Sequence, residues 1–116
     1  MKRIAVPLVN GKLSEFFGNC NHYEIFEVEG EHILSREIIA SPNKEITLLP
    51  LWASSQGITD VITFKVDVRI MELFTSYKIN LYVGINNESP EDIIQDYING
   101  TLKSDEKIIS EIYEKV

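Results

Sequence analysis

Residues 2–9 alternate weakly between polar and apolar and are rich in branched side chains, the pattern of a half-buried or buried strand. Tyr23, Ile25, Phe26 and Val28 resume an apolar pattern up to the turn residues Glu29-Gly30-Glu31, and Ile33, Leu34, Ile38 and Ile39 carry it on from His32 to Ala40. This predicts two strands in a hairpin or meander, closed by Ser41-Pro42-Asn43. Between the first strand and this hairpin, residues 13–23 break the patterning, and Gly18, Asn19 and Asn21 predict a loop.

The spacing then changes. Leu48, Leu49, Leu51, Trp52 and Ala53 recur at helical intervals over 47–56, with Pro50 expected in the first turn and Gly57 where a helix end favours a left-handed residue. Residues 60–64 predict a short strand, 69–77 a helix with Ile70, Leu73 and Phe74 on one face, and 79–84 another strand. A strand, helix, strand rhythm implies parallel strands joined by a right-handed crossover. Ser89-Pro90-Glu91-Asp92 is a helix start of three agreeing signals: a capping hydroxyl, a proline at the first position and acids against the positive helix end. That helix is expected to stop at Asn99-Gly100. Residues 104–116 predict a final amphipathic helix whose stripe is Ile108, Ile109, Ile112, Tyr113 and Val116. The class expected is α/β: an antiparallel beginning, a parallel half, and helices covering the sheet.

Composition narrows the function. At 116 residues, 44% hydrophobic and 9% aromatic, the chain supports one core without covalent staples. The single cysteine forms no internal disulfide and suits a reducing cytoplasm, which is the expected location. Met1-Lys2-Arg3 followed by Ile4-Ala5-Val6 mimics the start of a signal peptide, but Pro7, Asn10 and Gly11 end the apolar run early. No stretch approaches the ~20 apolar residues that cross a bilayer, so no membrane partner is expected. A net charge of −7, with Lys and Arg scattered singly, argues against nucleic acid.

Candidate chemistry falls in two places. Cys20 and His22 offer a thiolate and an imidazole, both good ligands for iron or zinc, in the loop where the patterning breaks. Two donors do not close a tetrahedral site; Glu15, Asn19, the sulfide of an incoming cluster, or a second Cys20-His22 pair in a homodimer would have to complete it. The plainer reading of Cys20 is a partly buried apolar filler, and of His22 a solvent or backbone hydrogen bonder. Lys65, Asp67 and Arg69 sit at the carboxyl end of a predicted parallel strand, where α/β sheets often bind ligands. Asp67 equally serves as the N-cap of the next helix, and Lys65 or Arg69 would suit an anion. His32 is assigned no role, and Glu15 and the acids from Glu24 to Glu31 are expected to face solvent. No nucleophile elbow, HExxH, P-loop or dinucleotide fingerprint is present, and the first strand carries no acid for a two-metal site, so no enzyme is expected.

The order of elements resembles the dinitrogenase iron-molybdenum cofactor biosynthesis (nitrogenase accessory factor-like) family. The matching stretches are Leu13-Ser14-Glu15-Phe16-Phe17-Gly18, the aromatic-rich Tyr23-Glu24-Ile25-Phe26-Glu27-Val28-Glu29-Gly30, Leu49-Pro50-Leu51-Trp52 before Gly57-Ile58-Thr59-Asp60-Val61-Ile62, Arg69-Ile70-Met71-Glu72-Leu73-Phe74, Ile79 to Gly84, and Tyr97-Ile98-Asn99-Gly100-Thr101-Leu102. The resemblance implies a ribonuclease H-like three-layer α/β/α domain with a mixed five-stranded sheet over 1–103, followed by an extra helix over 104–116 that packs on the domain or forms a dimer. It also implies a non-catalytic accessory protein that binds or carries an iron-sulfur or iron-molybdenum cluster, with a cluster donor or acceptor protein as partner. The chain departs from the family twice: Phe16 stands at the histidine before Phe-Gly, and Phe64-Lys65-Val66-Asp67-Val68 replaces a glycine-rich loop. The alternative is therefore a diverged interaction or regulatory module that keeps the fold and binds no cluster.

Overall fold

In a computed structural model, which describes residues 1–115, the first strand β1 (Lys2–Val9) turns back at once through Asn10-Gly11 into a two-residue strand β2 (Lys12–Leu13). Both turn residues have positive φ, 52° and 79°, as the tightest hairpin connection requires, and Val9 pairs with Lys12. The long hairpin follows as expected, β3 (His22–Glu29) and β4 (His32–Ala40), turning at Gly30 with φ 61°. A 3-10 turn (Ile46–Leu48) leads into α1 (Leu49–Ser55), then come β5 (Asp60–Ile62), α2 (Val68–Ser76), β6 (Asn80–Tyr82), α3 (Pro90–Asn99) and α4 (Glu106–Glu114).

The main sheet runs β4-β3-β1-β5-β6, with β2 paired to β1. β1 is antiparallel to β3 and parallel to β5, and β5 is parallel to β6. Strand alternation then builds two apolar layers. Ala5, Tyr23, Ile25 and Val61 pack against Leu49 and Ala53 of α1, Ile70 and Phe74 of α2, and the half-buried Ile108, Ile109 and Ile112 of α4. Ile4, Val6, Phe26 and Ile62 pack on the opposite face against Ile93 and Ile94 of α3. The result is the ribonuclease H-like three-layer arrangement, with a mixed sheet of five main strands extended by the two-residue β2.

Helix ends follow local chemistry. Asp67 caps α2 by accepting from the Arg69 amide at 2.8 Å, Ser89 caps α3 by accepting from Asp92, and Gly100 closes α3 at φ 73°. Gly57 is left-handed after α1, at φ 74°. β5 is shorter than the predicted 60–64; beyond Ile62 scattered bonds continue toward residues 82–85, from the Thr63 amide to Tyr82, from the Gly84 amide to Phe64 and from the Ile85 amide to Thr63. The last helix begins at Glu106, because Asp105 caps it by accepting from Lys107 and Ile108. Tyr113, expected on its buried stripe, is 52% exposed, and Val116 lies outside the described residues.

One charge expectation is corrected. Glu24 is buried, and its carboxylate accepts two hydrogen bonds from Arg36 on β4, at 2.9 and 3.1 Å. The same guanidinium reaches Glu91 at the start of α3, and these two acids hold it protonated above its ordinary range, Glu91 most strongly. Asp60, also buried, accepts from the Thr59 hydroxyl at 2.5 Å and the Asn80 amide at 3.1 Å. Both acids are satisfied structural groups. Among the described residues, no helix is long and apolar enough to cross a membrane.

Candidate functional site

The Ser14-Glu15-Phe16-Phe17-Gly18 segment is pinned by its own small residues. The Ser14 hydroxyl donates to the Phe16 carbonyl at 2.8 Å and lies 3.1 Å from that of Asn19, while the Asn19 amide closes a turn onto Phe16. Gly18 adopts φ 101° and lets Ile46 approach so closely that an added Cβ would sit 2.5 Å from its terminal carbon. The turn drives Phe17 inward, where it meets Phe74 edge-on at 5.3 Å, and leaves Phe16 48% exposed.

This turn is stitched to the junction between β5 and α2. Phe16 forms a parallel bridge with Lys65: the Phe17 amide donates to the Lys65 carbonyl at 2.9 Å and the Lys65 amide to that of Glu15 at 3.0 Å. The Lys65 ammonium lies over the rings of Phe16 and Phe64, 5.6 and 5.4 Å from their centres. Where the family pattern has glycines, Val66 and Val68 are buried and anchor the junction in the core.

A cleft of about 410 Å³ opens here. Phe16, Val66, Val68 and Ile112 give it apolar walls, and among the described residues Lys65, Arg69 and Lys115 give it three positive charges against the one carboxylate of Asp67. Asp67 is itself engaged: the Arg69 amide, then its guanidinium at 3.3 Å, hold the carboxyl below the ordinary aspartate range. In a chain of net charge −7, this is a locally cationic surface beside apolar walls, of a kind suited to an anion.

The three residues expected at the junction, Lys65, Asp67 and Arg69, are thus brought together, whereas Cys20 and His22 separate. Cys20 is half-buried against the core layer that holds Tyr23. His22 is exposed, opens β3 rather than lying in the loop, and by strand alternation belongs to the face of Glu24 and Phe26, opposite Tyr23. Neither residue lines the cleft, and among the described residues no three His, Cys, Asp or Glu side chains converge as a metal-ligand group. The Tyr23 hydroxyl is buried without a hydrogen-bond partner of normal geometry; burial, and then the neighbouring Cys20, push its ionisation far up. Lys115 and Ile112 were not foreseen as part of a site, since only tertiary packing brings the last helix to residue 65.

A mixed sheet in this order, covered by helices on both faces, defines a ribonuclease H-like α/β domain. The dinitrogenase iron-molybdenum cofactor family model matches residues 1–100, and the chain belongs to that family. It is similar to the uncharacterized protein MJ0580 of Methanocaldococcus jannaschii, 25% identical over 108 residues that span 89% of this chain and 91% of that one. Among solved structures, that of PH0822 superposes with a TM-score of 0.81 at 28% identity, covering 89% of this chain and 94% of that one. The apo form of the orange protein from Desulfovibrio gigas, at 14% identity and covering 90% and 93% of the two chains, shares the fold with a TM-score of 0.72. Membership ties the chain to proteins concerned with the iron-molybdenum cofactor.

Proposed function

We propose that this protein is a non-catalytic cytoplasmic accessory protein that accepts a preformed iron-sulfur or iron-molybdenum cluster, holds it at the Phe16 cleft and passes it to a partner protein. The observation that carries the reading is the convergence of Lys65 and Arg69 on an apolar-walled cleft beside the turn that the family motif builds. Clusters of iron, sulfide and thiolate are compact anions with soft, apolar faces, and such a surface meets both properties. Phe16 offers no ligand atom, so retention rests on ion pairing and contact more than on coordination. The donor set agrees with cargo rather than a resident cluster: the chain has one thiol, so Cys20 supplies at most one iron ligand, and the rest must come with the cluster.

The test is anaerobic incubation with a synthetic thiolate-ligated [4Fe–4S] dianion, followed by desalting and measurement of iron, sulfide and visible absorption. Wild type should retain the cluster, Lys65→Gln should retain less, and Cys20→Ala should separate coordination from ion pairing. Absence of cluster from wild type ends this reading. Phe16 in place of the family histidine favours a second one, a module that keeps the fold and acts through protein contacts alone; it predicts that empty result.

A further inference from the structure

We infer that α4 is a hinged wall of the cleft and that Lys115 is a further cargo-binding residue, so that filling the cleft closes the helix; this rests on the reading of the cleft as an anion site. The helix lies beyond the residues matched to the family, yet Ile112 and Lys115 complete the lining. Its two ends are held very differently. At the amino end, the Asp105 amide donates to the Val83 carbonyl at 2.8 Å and the Ser104 hydroxyl accepts from the Val83 amide at 3.0 Å. Gly84 permits this approach, since a Cβ there would stand 2.6 Å from that of Asp105 and 3.0 Å from that of Ile108.

Beyond Ile108 the hold rests on the half-buried Ile109 and Ile112. No residue of α4 is fully buried, unlike α1, α2 and α3, and among the described residues no salt bridge or side-chain hydrogen bond joins residues 106–114 to another element. A second cavity of about 460 Å³ opens on the other flank, between Ile109 and Tyr113 of α4 and Met71 and Leu81 beneath. A helix fixed at one end and thinly packed along its length opens locally at low cost.

Charge links that opening to the cargo. The closed helix places Lys115 on the same cleft as Lys65 and Arg69, and among the described residues that line it Asp67 is the one carboxylate against three cations. An anion placed between Lys65, Arg69 and Lys115 attracts all three and so strengthens the closed position of the helix. The coupling is reciprocal, so a ligand that closes α4 is held more tightly because α4 is there.

The experiment is hydrogen exchange on the full chain, with and without the synthetic [4Fe–4S] dianion, for wild type, Lys115→Gln and Gly84→Ala. In the empty protein, amides of α4 should exchange about tenfold or more faster than those of α2 and α3, as local opening predicts. Gly84→Ala should speed α4 further and leave α3 unchanged. The cluster should slow α4 in wild type, and Lys115→Gln should weaken retention about two- to fivefold, the scale of an exposed ion pair, and remove most of the slowing. Protection of α4 equal to that of α2 in the empty protein overturns the hinge. Retention that depends on Lys65 but is untouched by Lys115→Gln overturns this inference alone, whereas no retention by wild type overturns both it and the cargo reading.

Discussion

Residues 14–18 and residues 20–22 adjoin in sequence and end in opposite situations. The first group is folded into a turn that sets Phe16 beside Lys65, forty-nine positions away, and opens onto a cleft with charges from two further segments. The second is divided by the sheet: Cys20 packs toward the Tyr23 layer, and His22 falls on the other face. The comparison teaches that residue chemistry is a weaker guide to a site than convergence. A thiol and an imidazole two apart look like ligands, but a strand boundary between them parts their directions. Lysine, aspartate and arginine look like ordinary surface residues, yet the strand-to-helix junction aims them together.

The strongest challenge to this contrast acts on the turn that both regions share. Gly18→Val puts a branched side chain at φ 101° and against Ile46, and should cost about 3 kcal/mol, seen as a lower midpoint in denaturant unfolding. A variant as stable as wild type would show that the turn is not so constrained. Lys65→Glu should lower retention of the synthetic cluster at least tenfold, about 1.4 kcal/mol, and increased salt should reproduce part of that loss in wild type. Equal retention would move the cargo away from the cleft.

Asp67→Ala separates the structural and binding roles of one cleft residue. Loss of the cap should destabilise α2 by about 1 kcal/mol, while removal of a carboxylate from the cleft lining should tighten anion binding. Folding lowers the carboxyl below its ordinary 3.8, so its contribution is complete above that value and disappears as pH falls through the lower folded-state value. The stability gap between wild type and variant should therefore narrow in acid; a gap that stays constant down to pH ~2 contradicts the assignment. The smallest effect is expected from Cys20→Ala, with retention reduced less than about threefold, or roughly 0.6 kcal/mol. Total loss of cluster would instead make the thiol the principal anchor and reverse the ranking of the two regions.

Local features were readable without coordinates. Alternation marked β1 and the long hairpin; Asp67 and Ser89 announced the starts of α2 and α3, and Gly57 and Gly100 the ends of α1 and α3. The Asn10-Gly11 hairpin is equally local, since the dipeptide's preference for positive φ needs no tertiary support. The grouping of Lys65, Asp67 and Arg69 was legible because all three lie on one junction.

What the chain determined by itself was the kind and order of its elements, because propensity, capping and turn preference act over a few neighbouring residues. Tertiary structure decided which side chains meet. Glu24 reads as a solvent acid until register sets it opposite the strand carrying Arg36. Phe16 meets Lys65, and Lys115 joins their cleft, only after the sheet order and the docking of α4 are settled. Those contacts span about fifty residues, and the free energy that selects them comes from burying the two apolar layers as a whole, which no local stretch of sequence encodes.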